Sequence, residues 1–118
     1  RPVSGSDRVF VAEDATMIYG SVRIESLEGV QVLRGMYMHP DHVRKGIGKQ
    51  LLLSIEPELF ATDSFCIPRD HLFDFYGRAG FKVVDPNSAP SFLSDRFASY
   101  IDEGLPVAIM YRPEGQAN

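Results

Sequence analysis

The apolar period of this chain changes once, between Met38 and Gly46, and that change limits the folds open to it. Before it lie three runs, "RVFVAE" (Arg8–Glu13), "MIYGSVRIE" (Met17–Glu25) and "VQVLRGMYM" (Val30–Met38). They alternate or are rich in β-branched residues, which is the pattern of strands. Their connections, Asp14–Thr16 and Leu27–Gly29, are short enough only for antiparallel hairpins. After the change, Ile47, Leu51, Ile55 and Leu59 recur every four residues with Leu52 beside them, one apolar helix stripe. A meander followed by an amphipathic helix has to bury one sheet face under helices.

The second half alternates. Pro57 is expected to end or kink the first helix. "SFCIP" (Ser64–Pro68) reads as a short buried strand. Asp70 is a good helix N-cap, with Leu72, Phe75, Tyr76 and Ala79 as the inward face and Gly80 as the stop. "FKVVD" (Phe81–Asp85) is a strand. Ser88 is expected to cap a further helix with Phe92, Leu93, Phe97, Tyr100 and Ile101 inward, ended by Gly104. "PVAIMYR" (Pro106–Arg112) is the last strand. The fold class expected is α/β (α+β): a mixed central sheet with an antiparallel N-terminal meander and packed helices. With 118 residues and no linker or repeat, residues 1–118 read as one domain with one core.

Composition narrows the function classes. No apolar run approaches a bilayer span. The single cysteine, Cys66, cannot form an internal disulfide, which suits a reducing, cytoplasmic setting. A net charge of −4 makes the chain a poor general binder of nucleic acid and favours a cationic small partner.

Against that acidic background, "VRKGIGK" (Val43–Lys49) is basic. It matches neither familiar phosphate loop. A P-loop would need Gly at Val43 and Ser or Thr at Gln50, and a dinucleotide fingerprint would need Gly at Leu51. The physics of a strand–turn–helix anion site remains. The first turn of a helix leaves N–H groups unpaired and carries about half a positive charge. Gly46 and Gly48 would expose those groups, and Arg44, Lys45 and Lys49 would add charge. The alternative is a glycine-containing helix start with a solvated basic face.

Taken together, "VRKGIGKQLL", "FCIP" and "FDFYGRAGF" resemble the GNAT superfamily of acyl-CoA-dependent N-acetyltransferases over roughly Arg8 to Arg112. The family signature Gln/Arg-x-x-Gly-x-Gly/Ala falls on Val43, Arg44, Lys45, Gly46, Ile47 and Gly48, with Val43 departing from it. An aromatic-Tyr-x-x-x-Gly-Phe stretch matches Phe75, Tyr76, Gly80 and Phe81. Arg69 stands where an Asn often precedes the later helix. The family's first strand and first two helices have no counterpart before Arg8, and Ser88–Gly104 stands where a short hairpin is usual.

The resemblance implies acetyl-CoA as co-substrate and a small-molecule or peptide amine as acceptor. It implies that Met36, Tyr37 and Met38 pair their backbone with the pantetheine arm, that Val43, Arg44, Lys45, Gly46, Ile47, Gly48 and Lys49 hold the pyrophosphate, and that the strand splays from the one carrying Cys66. Gly35 would host the accompanying bulge. Tyr76 is the implied general acid; an aromatic of the helix core is the alternative. "LRGMYM" has no carboxylate, so the base falls to Glu25, Asp63, His39, His71 or water. A non-catalytic acyl-CoA-binding module is the runner-up.

His39, Asp41 and His42 share one short loop with no distant fourth ligand, so no metal is expected. Cys66 reads as a structural thiol and the Phe92–Ile101 stripe as core. An uncovered sheet edge or face leads to the expectation of a homodimer, unless the Ser88–Gly104 helix covers it.

Overall fold

The computed structural model describes residues 6–42 and 46–117. Strands β1 (Ser6–Glu13), β2 (Ile18–Leu27) and β3 (Val30–Met38) form the antiparallel meander. Helices α1 (Ile47–Ser54) and α2 (Glu56–Ala61) follow, then β4 (Ser64–Cys66), α3 (Phe73–Gly77), β5 (Lys82–Val84), α4 (Ser91–Asp102) and β6 (Ile109–Arg112). The six strands make one mixed sheet in the order β1-β2-β3-β4-β6-β5, with β3 and β4 parallel.

Two apolar clusters lie on opposite faces. On the first face, Val22, Ile24, Leu33, Cys66 and Met110 meet Leu52, Ile55 and Leu59 of the α1–α2 stripe and Tyr76, Ala79 and Phe81 around α3. On the second, Val32, Phe65 and Ile109 meet Leu93 of α4, with Phe92 and Phe97 beside it. The additional helix therefore covers the second face over β3, β4 and β6. Over β1 the same face stays open, where Val9 is 63% exposed and Val11 is also exposed.

Local chemistry explains most boundaries. Gly80 and Gly104, both at positive φ, follow α3 and α4 as expected. Pro57 sits in the first turn of α2, so the break falls earlier than expected, at Ile55, and the apolar stripe runs across it. Three expectations are corrected. Asp70 does not cap a helix; it lies in a 3-10 turn, Asp70–Leu72, that precedes α3. Ser88 lies in another 3-10 turn, Pro86–Ser88, capped by Asp85, and α4 begins after Pro90. Ile101 is exposed, because α4 turns it away from the sheet at the helix end.

One buried cation ties the far end of the molecule together. Arg112 of β6 is 0% exposed. Its Nη1 donates to Glu56 Oε1 at 2.8 Å and to the Ala79 carbonyl at 3.1 Å, and Nη2 donates to Glu56 Oε2 and the Gln116 carbonyl. That single guanidinium joins β6, the start of α2, the turn after α3 and the C-terminal tail.

Candidate functional site

Strands β3 and β4 pair only at Gln31–Ser64, Val32–Phe65 and Leu33–Cys66. Beyond Leu33, β3 runs on to Met38 while β4 ends, so the two diverge. The divergence has a local cause. Ser21 pairs with Tyr37 but Arg23 pairs with Arg34, so β3 carries an extra residue opposite Val22. Gly35 sits there at φ +60, the left-handed backbone a bulge requires and glycine tolerates without strain. The expected bulge and splay are both present.

A cavity of about 480 Å³ fills the gap. Met36, Cys66, Leu72 and Tyr76 line it from the first face, and Arg34, Arg96 and Tyr100 from the second. Tyr76 is 4% exposed, with its ring edge-on to Phe75 and Phe81. Burial, with Cys66 adding a smaller effect, pushes its phenol well above the ordinary tyrosine range, so it stays protonated. Burial alone pushes the Cys66 thiol up, which removes the thiolate a nucleophile would need. Cys66 is a core thiol.

The four candidate bases separate clearly. His71 lines the cavity. Glu25 is held by Arg96, whose Nη1 and Nη2 donate at 2.8 and 3.0 Å, and faces Arg34 Nη1 at 3.6 Å. Asp63 accepts from the Tyr111 hydroxyl at 3.1 Å and the Glu114 N–H at 2.8 Å. His39 accepts at Nδ1 from the Asp41 N–H, outside the cavity lining. Among the described residues, no Asp or Glu lines the cavity.

Helix α1 opens at Gly46, which takes φ +76 and ψ +17 and has no side-chain capping bond. Among the described residues, a Cβ there would meet nothing within 4 Å. Gly48 is different. A Cβ there would stand 2.4 Å from Met38 Cε and 2.8 Å from Phe75 Cε1 and Cζ. Its missing side chain lets α1 close onto β3 and α3, so of the two glycines only Gly46 has no described neighbour where a side chain would stand. Sequence reasoning missed the partner glycine on β2, Gly20, whose Cβ would meet Ile47 Cγ2 at 2.8 Å and the Tyr37 carbonyl oxygen at 2.9 Å. Its signal was a glycine inside a strand pattern.

Of the expected cofactor contacts, Met36 lines the cavity and the Met38 side chain packs on Gly48, while Tyr37 is exposed. Ile47 and Lys49 are in the first turn of α1, with Lys49 exposed. Val43, Arg44 and Lys45 lie outside the described residues. Sequence reasoning also missed Arg23, Arg34 and Arg96, which strand alternation and helix spacing bring to one side of the gap.

Residues 5–83 match the family described as Acetyltransferase (GNAT) domain. No curated protein matches the chain. Among solved structures, N-acetylglutamate synthase from Neisseria gonorrhoeae, complexed with coenzyme A and L-arginine, is 13% identical at a TM-score of 0.73, over 92% of this chain and 25% of that one. The PaiA N-acetyltransferase from Thermoplasma acidophilum, in complex with coenzyme A, is 20% identical at 0.65, over 91% of this chain and 60% of that one. The ribosomal-protein-S18-alanine N-acetyltransferase from Escherichia coli is 17% identical at 0.69, over 100% of this chain and 74% of that one. These likenesses share the fold, and the chain spans a quarter of the first and three fifths of the second.

Proposed function

Because the chain belongs to the GNAT acetyltransferase family, we propose that it transfers an acetyl group from acetyl-CoA to an amine of a small molecule or peptide. The carrying observation is the gap between β3 and β4, opened by the Gly35 bulge and lined by Tyr76. Acetyl-CoA supplies the acyl group as a thioester, which the amine attacks directly: a C–N bond forms, the C–S bond breaks and the amine proton is lost to a base.

The residues fit such a co-substrate. The β3 backbone from Met36 to Met38 runs along β2 on one edge but has no strand partner on its β4 edge among the described residues, which suits an extended amide-bearing arm. The start of α1 at Gly46, Ile47, Gly48 and Lys49, with no side-chain cap among the described residues, suits a pyrophosphate, with Val43, Arg44 and Lys45 completing the proposed cradle. Holding both reactants in one cleft can supply about 7–11 kcal/mol of the barrier.

Tyr76 is the proposed donor to the departing sulfur. A phenol raised by burial is a weaker acid than the leaving thiol, so hydrogen bonding to the sulfur is favoured over full proton transfer. His71, the one candidate base in the cavity lining, would take the amine proton directly or through water.

That no carboxylate lines the cavity among the described residues motivates the second reading, an acyl-CoA-binding module without transfer. Thiol release on adding an amine panel separates the two; stabilisation by acetyl-CoA with no release would leave the module.

For the cradle, Gly46→Glu is a poor probe, since any side chain at φ +76 is strained. Lys49→Glu on the exposed first turn reverses charge without strain. It should reduce the thermal stabilisation by CoA, and an unchanged response would remove the cradle. A homodimer and a cytoplasmic location complete the proposal. The exposed Val9 and Val11 on edge strand β1 support the first, and buried, unbridged Cys66 the second. Light scattering giving a monomer mass would remove the dimer.

A further inference from the structure

Four arginines, Arg23, Arg34, Arg69 and Arg96, line the cavity together with His71. Arg23 and Arg34 are direct cross-strand partners on β2 and β3, on the same face. Like charges directly opposite each other destabilise a sheet. Glu25 relieves part of this, because it binds Arg96 through both oxygens and faces Arg34 Nη1 at 3.6 Å. No described ion pair joins it to Arg23. Among the described residues Arg23 has no ion-pair partner, and its Nε is buried without a hydrogen bond. Buried polar atoms are rarely left so, and Arg23 belongs to the cavity lining, within reach of a group bound there.

We infer that the acceptor is an amine that carries an anion, a carboxylate or a phosphate, bound between Arg23 and Arg34 on the α4 side of the cleft. An oxyanion there turns the repelling pair into a clamp, and an arginine fork matches its geometry. Arg69 adds to the field, while Arg96 is engaged by Glu25 and holds α4 in place. The chain's net charge of −4 favours the opposite kind of acceptor from afar. Salt screens that attraction over about 8 Å, so the arginines in the cleft decide at contact.

The inference rests on the transferase reading, and two readouts keep the two apart. Glutamate, phosphoethanolamine, glycinamide and putrescine are each titrated into the CoA-loaded protein, and thiol release from acetyl-CoA is followed with the same four amines. Glutamate or phosphoethanolamine should bind and turn over best, and whichever does so identifies the anion. Arg23→Gln should weaken that amine by about tenfold or more, the size expected for one charge-assisted hydrogen bond, and raise KM more than it lowers kcat. Arg23→Lys should recover part of the loss. CoA binding should be unaffected. The unliganded melting temperature of Arg23→Gln should be equal or higher, because a repulsion is removed. Binding of neither anionic amine, preference for glycinamide or putrescine, or loss of CoA binding in Arg23→Gln would overturn the anion clamp. Anionic binding without thiol release from any amine would retain the clamp and overturn the transferase.

Discussion

Gly46 and Gly48, one residue apart, are glycines for different reasons. The first takes a left-handed backbone, and the second lets Met38 and Phe75 touch α1. Gly48→Ala should therefore cost stability, by about 1–3 kcal/mol as for other overpacked sites, in urea denaturation. Phe75→Leu should recover part of that loss, since the ring supplies two of the three close atoms. A neutral Gly48→Ala with weakened CoA binding would assign the residue to the cradle instead of the packing. Tyr76→Phe tests the proposed donor. It should lower kcat about ten- to hundredfold with CoA binding and melting temperature nearly unchanged, because the ring keeps its packing and only the hydroxyl is lost. An unchanged kcat would return Tyr76 to the role of core aromatic.

Helix α4 decides how the second face is finished. It is fastened twice: by Leu93, 0% exposed against Val32, Phe65 and Ile109, and by the fork of Arg96 on Glu25. The two fastenings differ in kind. Leu93→Ala opens a cavity and should cost about 2–5 kcal/mol. Glu25→Gln leaves Arg34 and Arg96 facing the cleft without their carboxylate, so it should loosen α4 and raise amide exchange there. Exchange in α4 equal to that of the parent protein would show that the apolar contact suffices. The same helix carries Tyr100 into the cavity lining, so an element that reads as core from its stripe also helps shape the site.

At the scale of the whole molecule, Arg112 is a point where distant segments of the chain meet. Arg112→Met should cost less than the roughly 3–5 kcal/mol of breaking a fully buried pair, because the Glu56 left behind is about a third exposed and can turn to water. The pair also gives a pH dependence. Hydrogen bonds from Arg112 lower the Glu56 pKa in the folded protein, so the unfolded chain binds more protons at moderately acid pH. The stabilisation is complete above the unfolded carboxylate value of about 4.3 and is lost as pH falls through the lower folded value. Urea midpoints taken from pH 7 to pH 3 should fall less steeply for Glu56→Gln than for the parent. Equal slopes would discard this link as a source of the acid sensitivity.

The sequence by itself determined what backbone geometry can impose locally. Alternation gave the meander, the four-residue recurrence from Ile47 to Leu59 gave the α1–α2 stripe, and an interior glycine marked the bulge at Gly35. Each follows from the two-residue repeat of a strand or the 3.6-residue repeat of a helix, which neighbours along the chain suffice to set. Asp70 and Ser88 misled because a side chain suited to capping does not by itself make its position a cap: Asp70 lies inside a 3-10 turn, and Ser88 closes one that Asp85 caps. Only the tertiary structure decided that Gly48 serves packing, that α4 covers the second face, and that Arg23 meets Arg34 beside an open cleft. Those outcomes depend on strand register and on which elements touch, and no single segment carries that information.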